Sequence, residues 1–269
     1  MAEPSEKLAT PAARAIERAL NSISGGKALD ICTDDGDFIN TLKGMLNSFD
    51  SFVGIDISDK NFQSALKKFS QEPVSFLKMN AESLEFEDDS FDTVCISYSL
   101  HHLDAIPKVL SEMKRVLKPN GHFIIQEMYS DGHQSEAQTT DMLMHHWDAK
   151  VDSLFGIPHN ATLAKQELKE EVAALGLKDF RVFDIPHPVK CLLCSNRAGC
   201  EDPKNENVIN FAIKRIEKTL NRLQEHVAQE GTQILPDVEK LKEEGEKLKK
   251  RVQMTGAAEP SQLFFIGKK

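Results

Sequence analysis

The pattern of apolar and polar residues between positions 27 and 58 predicts a strand, a turn, a helix and a second strand in succession. Residues 28–32 form a short, largely apolar run, which is typical of a buried strand. Residues 33–37 are polar and contain a glycine, as expected of a turn. Apolar residues then recur at helical spacing from position 38 to position 46, and residues 52–57 form a second apolar run.

An acidic residue lies where the second of these strands is predicted to end. Asp56 follows Gly36 by 20 residues, the separation at which an acid can reach the ribose hydroxyls of an adenosine ligand. The turn between them is predicted at the carboxyl end of the first strand, where α/β sheets bind nucleotides.

The same alternation of strands and helices continues along the chain. Five further strands are predicted at residues 74–79, 91–97, 122–128, 180–185 and 262–267. Helices are predicted at residues 11–23, 59–69, 105–117 and 162–175, the first of them as a packing helix or, alternatively, a lid. This order predicts an α/β fold: a doubly wound, mostly parallel seven-stranded sheet with helices on both faces.

About seventy residues separate the last two predicted strands. Apolar residues repeat there at alternating spacings of three and four, first from Ile209 to Val227 and again from Val238 to Val252. We interpret residues 188–258 as an insertion, a cysteine-containing loop followed by an antiparallel helical hairpin. The main domain would comprise residues 1–187 and 259–269. The apolar seam of the hairpin could also serve a second copy, so a homodimer is possible.

Composition and charge limit the kinds of molecule that the protein is expected to bind. The formal net charge of −9 disfavours a nucleic-acid substrate and favours a small molecule. No apolar run approaches the roughly 20 residues that span a bilayer, and the N-terminus carries acids and lacks the apolar core of a signal peptide. Five cysteines without a paired framework fit a reducing compartment, so the sequence predicts a cytoplasmic protein that binds no membrane.

Three motifs carry a resemblance to a known family. They are residues 80–94 (NAESLEFEDDSFDTV), residues 99–103 (SLHHL) and residues 115–121 (RVLKPNG). In this order and spacing they are similar to the class I S-adenosylmethionine-dependent methyltransferases, within them to the branch that includes the quinone C-methyltransferases. The resemblance is close over residues 27–128 and weak to residue 185.

The resemblance implies a binding site for S-adenosyl-L-methionine. The residues it places there are Asp30, Cys32, Asp34, Gly36, Asp56, Ile57, Asn80, Ala81, Glu82 and Ser97. Cys32 and Asp34 stand where the family commonly has glycine, and Asn80 replaces its usual aspartate. The alternative for each acid is ordinary turn chemistry.

Candidate general bases fall in two places. His101 and His102 follow the predicted fourth strand, although each could simply pack beside the next helix. His145 and His146 lie in residues 129–160, where the resemblance implies a substrate-contacting cap.

Four polar residues of this cap could act together. His145, Asp148 and Asp152 share one face if this segment is helical. With His159 they could bind a metal or form a base held by an orienting carboxylate. Met142 and Trp147 could wall an apolar pocket. The alternative is a cap helix whose polar residues face solvent.

Possible metal ligands also follow the sixth strand. His187, Cys191, Cys194 and Cys200 have the spacing H-x3-C-x2-C-x5-C, and a tetrahedral zinc site needs four such ligands. The alternatives are a redox pair, free thiols, a disulfide or thiols that bind a soft metalloid or thiol substrate.

These observations lead to one principal functional hypothesis, a methyltransferase that moves a methyl group from S-adenosylmethionine to a small-molecule acceptor by in-line displacement. A second is a non-catalytic S-adenosylmethionine-binding regulatory or assembly protein. A third, a nucleotide-dependent oxidoreductase, is disfavoured because the first turn lacks G-x-G-x-x-G.

Overall fold

The computed structural model describes residues 11–186, 202–230 and 235–269, which form two compact units. The sheet unit contains Pro11–Met128, Ala164–Ile185 and Gln262–Lys269. The helical unit contains Tyr129–Leu163 and the described part of Pro186–Ser261.

The sheet unit contains seven strands in the order β3-β2-β1-β4-β5-β7-β6. The strands are β1 Lys27–Ile31, β2 Ser51–Asp56, β3 Val74–Lys78, β4 Phe91–Ser97, β5 Leu117–Met128, β6 Lys178–Ile185 and β7 Gln262–Lys268. The helices are α1 Pro11–Leu20, α2 Asp37–Met45, α3 Phe62–Lys68, α4 Ile106–Val116 and α6 Lys165–Ala173, with a 3₁₀ turn at Leu100–His102. The predicted doubly wound fold is confirmed: β1 to β5 pair in parallel, and only β7 pairs antiparallel to its neighbours.

The sheet changes winding direction between β1 and β4. From β1 the chain builds outward to β2 and β3, and then returns to place β4 on the other side of β1. Both central strands are almost wholly buried, which explains why apolar residues do not simply alternate with polar ones along them. Ligands bind α/β sheets outside the carboxyl ends of the strands at such a crossover.

The first helix has a packing role. α1 buries Ile16 and Leu20 and packs beside α2 and β6. The apolar face of α1 is therefore buried within the sheet unit, as expected of a packing helix.

The fifth strand begins earlier than predicted. The helix predicted at residues 105–117 and the strand predicted at residues 122–128 leave residues 118–121 between them, but in the structure β5 begins at Leu117. Leu117 pairs with Phe91 and His122 with Thr93, so the register shifts between them. Asn120 takes the positive φ of 65° that this bulge requires. Residues 118–121, whose composition is typical of a turn, therefore lie at a register shift within β5.

Within its described residues, the helical unit contains three helices: α5 Glu136–Leu154, α7 Glu206–Glu230 and α8 Leu235–Thr255. α7 and α8 pack against each other and against α5. Their shared core contains Met144, Trp147, Val151, Val208, Ala212, Ile216, Leu223, Val238, Leu241, Leu248, Val252 and Ala257. The apolar repeats of α7 and α8 are thus used in part to cover α5, the helix of the predicted cap.

A glycine allows this packing. A Cβ atom on Gly245 of α8 would lie 2.6 Å from Trp147 Cζ2 and 2.9 Å from Leu220 Cδ2. We expect Gly245→Ala to lower the free energy of unfolding by about 1–3 kcal/mol, although alanine normally favours a helix over glycine. The measurement is urea unfolding followed by circular dichroism. Gly44→Ala in α2 is the control, because nothing lies within 4 Å of that Cβ. It should stabilise by about 0.5–1 kcal/mol, and equal gains from both variants would contradict the packing.

Among the described residues, we find no helix whose length and hydropathy would suffice to cross a lipid bilayer.

Candidate functional site

A carboxylate anchored by two backbone amides lies at the end of β2. Asp34 N donates to Asp56 Oδ2 at 3.2 Å, and Ser58 N donates to Asp56 Oδ1 at 3.0 Å. Each carboxylate oxygen can accept more than one hydrogen bond, and the side chain is partly exposed. Asp56 is therefore fixed in orientation and can still accept hydrogen bonds from a pair of ligand hydroxyls.

The turn after β1 contains three residues with left-handed backbone conformation. The φ angles of Cys32, Asp34 and Gly36 are 55°, 47° and 81°. A Cβ on Gly36 would also lie 2.7 Å from Phe69 Cε2, so glycine is needed there for two reasons. Cys32 and Asp34 adopt the conformation that favours glycine at a cost of roughly 1–2 kcal/mol each. At Cys32 and Asp34 the backbone of the turn thus adopts a left-handed conformation that glycine usually provides.

Two side chains of this turn have defined partners. The Asp34 carboxylate accepts a hydrogen bond from Asn61 Nδ2, a residue that the sequence interpretation missed because nothing marks it beyond its polarity. Burial raises the pKa of the Cys32 thiol to about 12, and the charges of Asp56 and Asp30 add to this effect. Cys32 therefore remains a neutral thiol, unsuited to act as a nucleophile.

Asp30 is buried beneath the turn in β1. Its Oδ2 accepts a 2.7 Å hydrogen bond from Thr33 Oγ1, and its Oδ1 lies 3.4 Å from the Cys95 thiol of β4. Burial raises the pKa of Asp30 from 3.8 to about 7 against the opposing effect of these hydrogen bonds. Asp30 thus connects β1 to the turn through Thr33.

The raised pKa of Asp30 predicts a pH-dependent stability. The folded protein holds a proton that the unfolded chain releases, so the stabilisation is complete below pH 3.8 and is lost as pH rises to about 7. In the wild-type protein we expect the free energy of unfolding to fall by a few kcal/mol across this range. Asp30→Asn should abolish this pH dependence. Urea unfolding from pH 5 to pH 8 measures it. Identical pH profiles for both proteins would contradict the assignment.

The remaining predicted cofactor residues lie in the same unit. Asn80 Oδ1 accepts a 2.9 Å hydrogen bond from Glu82 N, forming a turn beyond β3. Glu82 Oε2 lies 3.3 Å from Lys108 Nζ, and Ala81 between them is buried. The side chain of Ile57, beside Asp56, is 70% exposed. At the end of β4 the Ser97 carbonyl accepts a 2.7 Å hydrogen bond from the Ser99 hydroxyl.

His101 is held by a buried glutamate. Its Nδ1 lies 3.1 Å from Glu127 Oε1, and Glu127 Oε2 accepts a 2.7 Å hydrogen bond from Leu100 N. His101 and Glu127 are both almost fully buried. The ring of His102, which is exposed, lies 4.3 Å from that of His101. Glu127 was missed as a site residue, although an acid inside the apolar run of β5 was a usable signal.

Comparison with known proteins identifies the domain that carries this site. Residues 29–125 match the family described as "Methyltransferase domain". These residues form a methyltransferase domain. The match covers most of β1, all of β2, β3 and β4, and most of β5, and the resemblance seen in the motifs is confirmed.

Curated relatives of the methyltransferase domain include two quinone-named enzymes. A 2-phytyl-1,4-naphtoquinone methyltransferase of Trichormus variabilis is 31% identical over 114 residues, which is 41% of this chain and 50% of the relative. A demethylmenaquinone methyltransferase of Bacillus cereus is 34% identical over 113 residues, 41% of this chain and 48% of the relative. The chain therefore spans about half the length of the curated relatives it matches.

A solved structure supports the fold of the methyltransferase domain. A phosphoethanolamine N-methyltransferase of Haemonchus contortus, in complex with S-adenosyl-L-methionine, superposes with a TM-score of 0.54 at 19% identity. The likeness covers 96% of this chain and 52% of that one. At this identity it shows the fold alone.

The cap candidates lie in the helical unit, outside the matched domain. His146 Nε2 accepts a 3.3 Å hydrogen bond from Thr162 N and lies 2.8 Å from the Thr162 hydroxyl. This nitrogen is therefore the unprotonated one of a neutral ring. His145, Asp152 and His159 form a second group, in which His159 lies between the other two.

Asp148 does not join that group. It binds Arg215 through Oδ2 at 2.9 Å and accepts a 3.0 Å hydrogen bond from Thr219 Oγ1. Trp147 is buried in the core of the helical unit. The three residues predicted to share one helical face thus have different partners. His145 and Asp152 contact His159, whereas Asp148 contacts Arg215 and Thr219. The predicted metal ligands His187, Cys191, Cys194 and Cys200 lie outside the described residues.

Proposed function

We propose that this protein transfers a methyl group from S-adenosylmethionine to a quinone-type small molecule by in-line displacement. The observation that carries the proposal is Asp56, whose two oxygens are fixed by backbone amides at the crossover of a methyltransferase domain. The names of the curated relatives support a quinone-type acceptor.

Each part of the cofactor would have its own set of partner residues in the sheet unit. Asp56 would accept hydrogen bonds from the ribose hydroxyls, and the exposed side chain of Ile57 offers an apolar surface to adenine. Asn80, Ala81 and Glu82 would border the same ring. The turn at residues 32–36 would run beneath the methionine part. When bound, the cofactor supplies an electrophilic methyl group, and the protein's task is to align the acceptor and exclude water.

A base is required only if the acceptor loses a proton of high pKa. The candidates are His101, His102, His145 and His146. Their partners separate them: His146 is engaged by Thr162, whereas a buried carboxylate orients His101. The fixed orientation of the His101 ring favours it over His146 as a proton acceptor.

The decisive experiment has two stages. Calorimetry with S-adenosylmethionine should show one site per chain. Incubation with a reduced demethylnaphthoquinone should then yield a product one methylene heavier by mass spectrometry, together with S-adenosylhomocysteine. A protein that does not bind S-adenosylmethionine would refute the proposal.

The left-handed Cys32 and Asp34 favour one alternative, a non-catalytic S-adenosylmethionine-binding protein, because an altered turn can hold the cofactor in an unproductive position. Tight binding without product formation on naphthoquinol, benzoquinol, phenol, amine and thiol acceptors would support it. A cytoplasmic location, a homodimer and zinc at the cysteine cluster stay predictions.

A further inference from the structure

Four side chains of the helical unit form a continuous chain of polar contacts. Arg222 Nη2 donates to Asp152 Oδ1 at 2.7 Å, and Asp152 Oδ2 lies 2.8 Å from His159 Nδ1. His159 Nε2 lies 3.2 Å from His145 Nε2. Both imidazoles are only 7% exposed. The Arg222 guanidinium also stacks 4.8 Å from the centre of the Phe155 ring, which fixes the far end of the chain.

This arrangement defines the tautomer of His159. One oxygen of the Asp152 carboxylate is held by Arg222, and the other faces His159 Nδ1. An ionised carboxylate only accepts hydrogen bonds, so His159 Nδ1 carries the proton. In the neutral ring Nε2 then has the lone pair, which is the state in which histidine binds metals.

The spacing of the two rings matches a metal site. Two imidazole nitrogens that bind one tetrahedral Zn²⁺ at bond lengths of about 2.0–2.1 Å lie about 3.3 Å apart. The observed Nε2–Nε2 distance is 3.2 Å. A single ion could therefore replace the hydrogen that the two atoms share, with little movement of either side chain. The carboxylate on the outer nitrogen of His159 is the partner that metal-binding histidines usually have.

We propose that His145 and His159 bind one Zn²⁺ or similar divalent transition-metal ion through their Nε2 atoms, and that Asp152 and Arg222 position this site. Two imidazole ligands leave the other coordination positions of the ion to water or another oxygen ligand. The site is distinct from the predicted cysteine cluster, and the proposal does not depend on methyl transfer.

Metal titration of the full-length chain tests the site. The background is Cys191→Ser/Cys194→Ser, which removes two thiols that would compete. After chelation and dialysis, Zn²⁺ calorimetry should show one site, and Co²⁺ should give visible bands without thiolate charge transfer. His145→Ala and His159→Ala should each weaken the affinity at least about 100-fold, and Asp152→Asn about 10- to 100-fold.

His146→Ala is the matched control, since His146 is the neighbouring histidine and binds Thr162 instead. It should leave the metal affinity unchanged. His145→Asn, with thermal unfolding, covers the case in which alanine variants do not fold. Absence of metal binding in the background protein, or equal affinity in the His145 and His159 variants, would overturn the proposal. Failure of cofactor binding alone would not affect it.

Discussion

Replacing Asp56 by alanine should weaken the binding of S-adenosylmethionine by about 100-fold or more. A carboxylate that accepts hydrogen bonds from two ribose hydroxyls contributes about 1.5–3 kcal/mol for each, and the sum corresponds to roughly this ratio of dissociation constants. The two backbone amides that anchor Asp56 would also lose their acceptor. The loop at residues 32–36 would then be less well ordered, which adds to the loss. Calorimetry measures the effect directly.

Two further variants separate binding from folding. Asp59→Ala removes a carboxylate three positions away that is exposed and lies 3.5 Å from Lys78 Nζ; it should leave the affinity within about twofold. Asp56→Asn preserves shape but loses charge and one acceptor, so it should fall between wild type and Asp56→Ala. If Asp56→Ala binds as tightly as wild type, the carboxylate does not hold the ribose and the proposed cofactor site is wrong.

The sequence predicts the sheet unit well because its signals are local. Apolar runs for β1, β2 and β4 each lie within a few residues, and the turn and acid that follow them are adjacent in sequence. Parallel pairing then brings the ends of these strands together without further information. Asp56 is a candidate that the end of the second predicted strand already indicates, whereas Asp30 is one that the family resemblance implies.

Partners from distant parts of the chain were not predictable. Asp152 meets Arg222 across 70 residues, and His101 meets Glu127 across 26 residues. Periodicity shows that a helix has an apolar face but does not show what covers it. The repeats of α7 and α8 accordingly indicated a seam, yet not that α5 with its tryptophan packs against it. The same limit applies to Asn61, whose contact with Asp34 depends on the conformation of two loops.

Trp147 should be the single most important side chain for the stability of the helical unit. It is 2% exposed, its Nε1 donates a 2.8 Å hydrogen bond to the Leu241 carbonyl, and its ring lies against Gly245. Trp147→Ala would leave a cavity where α5, α7 and α8 meet. We expect the free energy of unfolding to fall by about 3–5 kcal/mol, measured by urea unfolding with circular dichroism.

The loss of stability in Trp147→Ala should be large because neighbouring side chains cannot move into the space left by the indole. Gly245 has no side chain to move into the cavity, and the apolar neighbours Leu241 and Leu248 are held by their own helix. Trp147→Phe should therefore recover part of the loss, because it restores ring volume without the hydrogen bond. Met254→Ala, at a position 66% exposed on the same helix α8, should change stability by less than about 0.5 kcal/mol. A Trp147→Ala protein as stable as Met254→Ala would mean that the three helices do not share this core. Because Trp147 is the only tryptophan of the chain, its fluorescence in the wild-type protein reports the unfolding of this unit alone and gives an independent midpoint for comparison.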